Sequence, residues 1–262
     1  MNDRPGSSIP VVASAFATPR RQPRLIDAVT LLRHFALVSF DVEPPALAAV
    51  LPAGLRPDVR RLDDGRDRGF VSAVSFRDVD FRFRGAELIR TTFNQTNYRA
   101  YVLDRDNHAS VFFFETTLDS AFAVMPRRLW GMPWFGGHTE IEAEWEGPLC
   151  RSYRHVCTGA RNAVDAAFSG MAATPGRLDG FADEEDAAAT LTHPLDGYFL
   201  RSDGRLGRYS VWHERLRPTL GTAIRARYAV FERLGLVGPD PIPHSVLLQP
   251  SIEFDVHLPP TA

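Results

Sequence analysis

The chain has 262 residues, of which 44% are hydrophobic and 24% charged, and its formal net charge is −2 at pH 7. This length suits one large domain, and the composition is that of an ordinary globular protein. The small net charge excludes the strong positive field that draws proteins to nucleic acid or anionic membranes, so neither is an expected partner. All 30 basic residues are arginine, because the sequence contains no lysine.

The amino-terminal segment differs in composition from the rest. Residues 1–24 are rich in Pro, Ser and Arg and are predicted to form a flexible tail before a single domain over residues 25–262. Arg20-Arg21 resembles the start of a twin-arginine export signal, but the residues after it form a poor apolar region. No apolar run has the length of a transmembrane helix. The sequence therefore predicts a cytoplasmic protein.

The first half of the domain has mainly strand patterns. The apolar run 28–42 predicts a strand, and the Pro- and Ala-rich stretch 43–54 predicts a short helix. An Asp-Gly turn precedes a strand over 69–83, as in a hairpin. A second hairpin is predicted to join 93–104 to 108–119.

The second half mixes helices and strands. A helix is predicted over 120–130, kinked or ended by its proline, and alternating strands over 138–147 and 149–159. Residues 172–194 are rich in Ala and acidic residues and predict a surface excursion with a short helix at 181–190.

The carboxyl-terminal part contains a third predicted hairpin over 195–216, a predicted helix over 222–237 and a closing strand over 244–258. These elements together predict an α+β, mostly β fold. One antiparallel sheet would curl into a barrel or sandwich with peripheral helices.

The two cysteines are too few for a disulfide scaffold. Cys150 and Cys157 lie seven residues apart in a predicted strand, and this odd separation predicts that they face opposite sides of the sheet. Two separate, reduced core thiols are expected.

Common metal and cofactor motifs are incomplete. His213-Glu214 begins like a zinc-protease motif, but Arg217 stands where the second histidine is required. Asp78 and Asp80 have the spacing of one strand face and are interpreted as solvated. No metal and no cofactor are therefore expected.

One strand alternates in an informative way. Gln95, Asn97, Arg99 and Tyr101 share a face of the strand over 93–104. If this face points inward, Arg99 needs an anionic partner, which would be Glu115 of the next strand or a bound carboxylate. If it points outward, the row is solvated. Both interpretations remain open at this level.

Four segments together resemble the YqjF-like family, a group of unknown function in the acetoacetate decarboxylase-like superfamily. They are "LPAGLRPD", "NYRAYV", "SVFFFETTLDSAFAVMPRRLWGMPWF" and "GYFLRSDGRLGRYSVWHE". The resemblance extends over about residues 28–258, and "RRLWGMPWF" is its most specific element. It implies an antiparallel β-cone or barrel with peripheral helices and an internal cavity.

The same resemblance excludes one mechanism. Acetoacetate decarboxylases carry two lysines after a Gly-x-Pro turn, and the first forms a Schiff base with the substrate ketone. Here Trp134-Phe135 stands at that position, and Arg128 replaces a glutamate. A guanidinium stays protonated and is not a usable nucleophile. With no lysine in the sequence, a lysine imine is impossible.

The resulting hypothesis is an enzyme acting on an anionic keto-acid or polyketide-like substrate by decarboxylation, dehydration, isomerisation or cyclisation. Arginine would stabilise the anion and a carboxylate or histidine, His34 included, would move the proton. The predicted catalytic residues are Arg99, Glu115, Arg128 and His138. The predicted substrate-binding residues are Asn97, Tyr101, Phe113, Arg127, Trp130, Met132, Trp134 and Phe135.

Two alternatives stay open. The same cavity would serve a non-catalytic carboxylate-binding protein, or the barrel would be solid, with Trp134 and Phe135 filling the space of the lost lysine. In that case Arg127 and Arg128 would lie on a helix exterior. Long edge strands also make a homodimer possible.

Overall fold

The computed structural model of the chain describes residues 16, 18–171 and 173–261. Within them the fold is mostly β, as the sequence predicts. The strands are β1 (Ala28–Val42), β2 (Arg56–Pro57), β3 (Arg60–Arg61), β4 (Asp67–Phe83), β5 (Thr91–Leu103), β6 (Ala109–Leu118), β7 (Trp134–Gly136), β8 (His138–Glu146), β9 (Leu149–Thr158), β10 (Val164–Gly170), β11 (Asp196–Leu200), β12 (Leu206–Trp212), β13 (Thr219–Tyr228) and β14 (Ser245–Thr261).

The helices are short and lie between strands. They are α1 (Pro44–Val50), α2 (Val124–Trp130), α3 (Glu184–Thr192) and α4 (Ala229–Arg233). A 3-10 turn at Ala121–Ala123 leads into α2. Pro126 lies in the first turn of α2, where backbone N–H groups make no hydrogen bond within the helix, so the missing N–H of proline costs no helical hydrogen bond. None of the helices described here is long and apolar enough to cross a membrane.

Seven strands pair in a closed ring, in the order β1-β4-β5-β6-β11-β12-β14, with β14 pairing back to β1. The sheet is not a simple barrel, because β13, β10, β9 and β8 continue from β14 as a second layer. It is also mixed rather than antiparallel throughout, since β6 pairs in parallel with both β11 and β7.

The ring strands are buried on both faces. Residues 70–76 of β4 are buried without interruption, a pattern that a strand covered on one side does not show. One face packs against β8, β9, β10 and β13 in the main core, which includes Tyr98 and Tyr153. The other face lines an interior cavity.

The predicted helix over 222–237 is largely wrong. Residues Thr219–Tyr228 form β13, which pairs with β10, and only Ala229–Arg233 is helical. Arg225 and Arg227 are exposed whereas Ala226 and Tyr228 are buried, which is the two-residue period of a strand. Pairing with a neighbouring strand overrides the helical preference of alanine and arginine.

The two cysteines lie on the same face, contrary to prediction. The register of β8 and β9 shifts between Glu144 and Trp145, because Arg151 is an extra residue in β9. This bulge reverses the alternation, so Cys150 and Cys157 both point into the main core. Both are free thiols, as expected.

A second bulge separates the two aspartates predicted to share a face. Asp80 has a φ of 56°, and the pairing of β4 with β5 shifts register between Asp78 and Phe81. Asp78 is 3% exposed, whereas the Asp80 side chain is 51% exposed beside Arg90. The interpretation of Asp78 as solvated is therefore wrong.

The predicted tail over residues 1–24 lies mostly outside the described residues. Its described part, 18–24, is attached to the ring by ion pairs. Arg20 Nε donates to Asp255 at 2.5 Å, and Arg21 donates to Asp27 at 2.7 Å. Because Asp255 and Asp27 are both buried, these arginines neutralise carboxylates that the ring cannot solvate.

Candidate functional site

A cavity lies inside the ring, between the inner faces of β1, β4, β5 and β6 and the strands β11, β12 and β14. The centre of a water-sized sphere can move through about 110 Å³ of it. Since one water needs roughly 10–15 Å³ on this measure, the space suits a small organic molecule. The interior is hollow, as the resemblance implies.

The polar row of β5 points into this cavity. Gln95, Asn97 and Arg99 all line it, while Tyr98 faces the main core. Tyr101 is buried just beyond the cavity, and its hydroxyl donates to the carbonyl of Leu191 at 2.9 Å. The inward orientation left open by the alternation is therefore the one the fold adopts.

Arg99 has no acidic partner among the described residues. One guanidinium nitrogen, Nη2, donates to the Leu191 carbonyl at 2.8 Å and to the Tyr101 hydroxyl at 3.3 Å. Its Nε is buried with no hydrogen-bond partner. A buried donor without an acceptor is unfavourable, so the guanidinium is suited to receive an anion.

The amide of Asn97 is oriented by its neighbours. Its Oδ1 accepts hydrogen bonds from Gln95 Nε2 and from Thr116 Oγ1, each at 2.9 Å. These two donors fix the oxygen, which leaves the amide NH2 as the group presented to the cavity. Asn97 and Arg99 thus offer neighbouring donors on one strand face.

Tyr209 and His213 meet Arg99 at this end of the cavity. Both line it. Burial raises the pKa of Tyr209 and lowers that of His213 to about 4, and the Arg99 charge acts on both in the lowering direction. The Tyr209 ring stacks on Phe113 with centroids 5.4 Å apart. The cluster combines a cation, a phenol and a neutral imidazole.

The hydrogen bond of His213 fixes its tautomer. Nδ1 lies 2.7 Å from the Glu214 carbonyl oxygen, so Nδ1 carries the proton and Nε2 is the free acceptor. The ring stacks on Phe254 at 4.2 Å and meets His193 edge-on at 4.9 Å. These contacts hold a neutral imidazole in the cavity wall with Nε2 unprotonated.

The opposite end of the cavity contains an ionisable carboxyl group, that of Asp78. Asp78 lines it and accepts a hydrogen bond from Thr30 Oγ1 at 2.9 Å. Burial raises the pKa of Asp78 to about 7, an effect that the Thr30 hydrogen bond opposes and Asp119 reinforces. A carboxyl group with this pKa exchanges protons at neutral pH.

The segment "RRLWGMPWF" forms one wall. Helix α2 ends at Trp130, and Gly131 adopts a left-handed φ of 66° that caps the helix. The chain then turns back, and Trp134 begins β7, which pairs with β6. Trp130, Met132 and Trp134 line the cavity. Trp134 thus occupies the position at which the resemblance places the imine-forming lysine.

Several predicted site residues lie outside the cavity lining. Glu115 of β6 pairs with Tyr98 of β5, and a bulge at Phe114 puts the Glu115 side chain on the face of β6 opposite to that of Phe113. It accepts hydrogen bonds from Arg161 and Arg233 instead of Arg99. The predicted Arg99–Glu115 pair is therefore not formed.

The other outlying residues are on or near the surface. Arg127 and Arg128 are exposed, and the Arg127 guanidinium lies 5.0 Å from the centre of the Phe135 ring. The Arg161 guanidinium lies 4.5 Å from the centre of the same ring, so Phe135 contacts two cations. The His138 side chain is 72% exposed beside Glu140.

Three cavity residues escaped the sequence analysis, namely Asp78, Tyr209 and His213. The incomplete zinc motif assigns no role to His213, and the spacing of Asp78 and Asp80 indicates a solvated face. Tyr209 carried no signal beyond its place in a strand. His34, the other candidate for proton transfer, accepts from Trp145 Nε1 at 2.9 Å and does not line the cavity.

Comparison with solved structures identifies the fold. The enduracididine biosynthesis enzyme MppR complexed with pyruvate matches with a TM-score of 0.62 and 14% identity, over 92% of this chain and 91% of that chain. Acetoacetate decarboxylase from Legionella pneumophila matches at 0.56 and 13%, over 98% and 96%. An acetoacetate decarboxylase-like enzyme from Sphingomonas wittichii matches at 0.54 and 12%, over 88% and 91%. The fold is therefore acetoacetate decarboxylase-like.

Sequence comparison gives the family. A search of curated proteins returns no match. The family model DUF2071, described as an uncharacterized conserved protein, matches residues 30–253, which include every ring strand in whole or in part. The chain therefore belongs to the DUF2071 family.

Proposed function

We propose that the protein is an enzyme that forms an enolate from a small anionic keto acid, without a lysine Schiff base. The observation that carries this proposal is Arg99, a half-buried cation that lines a largely apolar cavity, with a buried and unpartnered Nε and no acidic partner among the residues described. A substrate carboxylate would supply the missing anion in a bidentate pair. The fold shared with MppR, which one structure shows complexed with pyruvate, supports a keto-acid ligand.

The chemistry follows from the groups around Arg99. His213 Nε2 would take a proton from the carbon next to the substrate carbonyl. The electron pair of the broken C–H bond would form a C=C bond, and the carbonyl π pair would move to the oxygen to give the enolate. The developing oxyanion would accept hydrogen bonds from the Asn97 amide and the Tyr209 hydroxyl. Because all three side chains are fixed by packing, the donors need little reorganisation during the reaction.

An enolate is common to the reactions the sequence allows. From the enolate, loss of water gives dehydration and reprotonation at another atom gives isomerisation. Attack of the enolate on a second carbonyl gives cyclisation. Decarboxylation reaches the enolate by loss of carbon dioxide rather than of a proton. The proposed type is therefore a lyase or an isomerase.

Exchange of substrate protons with solvent tests the proposal directly. The protein would be incubated with a panel of 2-oxo and 3-oxo acids in deuterium oxide, and loss of the signal from the protons beside the carbonyl followed by nuclear magnetic resonance. Arg99→Met and His213→Gln should reduce the protein-dependent rate by about 100-fold or more. Arg127→Met, an exposed arginine on α2, is the matched control and should keep the wild-type rate.

The outcomes separate enzyme from binder. Equal exchange in the presence and absence of protein, together with thermal stabilisation by the same acids, would favour the non-catalytic carboxylate-binding protein. If no acid on the panel binds, or if Arg99→Met binds them as wild type does, the proposed role of Arg99 is wrong.

A further inference from the structure

The Asp78 carboxyl is a second unpaired group in the cavity, and the enolate chemistry does not use it. Only Oδ1 has a hydrogen-bond partner among the described residues, the hydroxyl of Thr30. The residue is 3% exposed and lines the cavity, so Oδ2 is the oxygen that a ligand can reach.

The surroundings of Asp78 are aromatic and contain no cation. Phe76, Phe81, Phe83 and Phe122 line this end of the cavity. Asp119 is the charged residue that acts on Asp78, and it has the same sign. A carboxylate among phenyl rings, without a basic neighbour in the described structure, is an unfavourable arrangement unless a cation arrives.

Asp78 and Arg99 are too far apart to neutralise each other. Asp78 pairs with Phe93 of β5, and Arg99 follows six residues later on the same strand. At about 3.3 Å per residue this separates their backbones by roughly 20 Å along the strand. The Arg99 guanidinium also leans towards Tyr101 and Leu191, away from Asp78.

Asp196 also lines the cavity, but its carboxylate is paired with Arg208 at 2.8 Å. The unpaired groups therefore give the cavity a positive end and an acidic end, joined by aromatic walls. From this arrangement we infer that the ligand is an ω-ammonium carboxylate, with its carboxylate at Arg99 and a protonated amine at Asp78. The ammonium would pair with Oδ2 and lie against the phenyl faces, whose π-electrons attract cations. The inference rests on the proposed function, because it places the carboxylate of the same ligand at Arg99.

Titration calorimetry with two matched series of probes tests the inference. One series runs from 4-aminobutanoate to 12-aminododecanoate, and the other contains the plain carboxylates of equal chain length. Wild-type protein at pH 8 should bind one intermediate or long amino carboxylate at least about tenfold more tightly than its plain counterpart, a difference of ~1.4 kcal/mol.

Two variants locate the amine site. Asp78→Asn should abolish the preference for the amino carboxylate while plain carboxylates bind as before. Asp80→Asn, two residues away on the same strand but exposed, should keep the preference. A preference that survives Asp78→Asn would overturn the inference.

A measurement on the wild-type protein alone covers the case in which Asp78→Asn does not fold. Between pH 6 and pH 8 the probes keep their charges and His213, with its pKa lowered to about 4, stays neutral. Asp78 ionises in this range, so the preference for the amino carboxylate should grow with pH. A preference that is absent or independent of pH would refute the inference.

The two proposals fail in different ways. Equal binding of both series, still dependent on Arg99, removes the ω-ammonium ligand and leaves the keto-acid enzyme intact. Plain carboxylates that bind Arg99→Met as well as wild type remove the proposed function itself.

Discussion

Thr30 donates a hydrogen bond of 2.9 Å to Asp78 across β1 and β4, and this bond is the only one that the Asp78 carboxyl group makes among the residues described. One hydroxyl does not offset the burial that raises the Asp78 pKa to about 7. The folded protein therefore holds the Asp78 proton more tightly than the unfolded chain, whose aspartate pKa is near 3.8. Stability from this group is greatest in acid and declines as pH rises through 7.

Asp78→Asn should remove that decline. We expect the variant to gain stability relative to wild type as pH rises from 4 to 8, by a few kcal/mol at the upper end, since one pKa unit corresponds to about 1.4 kcal/mol. Urea unfolding of both proteins across this range measures the difference. A constant difference at every pH would show that Asp78 titrates normally.

His155 should have the opposite effect on stability. It is fully buried, with Nδ1 3.0 Å from Ser75 Oγ and Nε2 3.2 Å from Thr96 Oγ1, and burial lowers its pKa to about 3. Its contribution is present above pH 6.5 and is lost as pH falls towards 3, because the unfolded chain binds the proton first.

His155→Gln should therefore reduce the slope of unfolding free energy against pH, relative to wild type, by up to about 1.4 kcal/mol per pH unit between pH 3 and pH 6.5. His138→Gln, at an exposed position, serves as the control and should leave the slope unchanged. Identical slopes in wild type and His155→Gln would contradict the prediction.

Glu115 should matter for stability and not for ligand binding. Its buried carboxylate accepts from Arg161 Nε at 2.7 Å and from Arg233 Nη2 at 2.5 Å, and it faces the main core. Glu115→Gln should lower the free energy of unfolding by about 1–3 kcal/mol, because the two guanidinium groups lose their anionic partner and one acceptor oxygen becomes an NH2 donor. Glu140→Gln, an exposed counterpart, should have no measurable effect. Weaker carboxylate binding by a folded Glu115→Gln protein would instead return Glu115 to the site.

Replacing Trp134 with lysine should restore an amine to the cavity. The chain contains no lysine, so Trp134→Lys would carry a single ε-amine at the position where the resemblance places the Schiff-base residue. Burial should lower the pKa of this amine and favour imine formation. Borohydride reduction with pyruvate, followed by mass spectrometry, should label residue 134.

The matched control is Arg128→Lys, which adds one lysine to the exposed side of the same segment. It should be labelled far more slowly, and wild-type protein should carry no adduct on any arginine. Equal labelling of the two lysine variants would mean that the cavity does not activate the amine.

The sequence predicted much of the local structure. The alternation in β5, the β5–β6 hairpin and strands β8 and β9 depend on neighbouring residues and turns, so they can be identified without a fold. Local pattern failed over 222–237, where pairing of β13 with β10 decided the conformation. The interior cavity was predicted from the family resemblance, because local patterns do not encode a cavity.

Local sequence patterns could not predict which side chains point into the cavity. Bulges at Phe114 and Asp80 reverse the alternation, which turns Glu115 away from the cavity and separates Asp80 from Asp78. A bulge depends on register with a partner strand, and register is set by long-range pairing.

The sequence by itself determined that the nucleophile of a lysine imine is missing and that β5 carries a polar row. Only the tertiary structure decided that Arg99, Tyr209 and His213 meet at one end of a cavity and that Asp78 lies alone at the other. These residues belong to strands and a loop far apart in the chain, and closure of the ring brings them together. The burial that raises the pKa of Asp78 and lowers that of His213 exists only once the ring has closed.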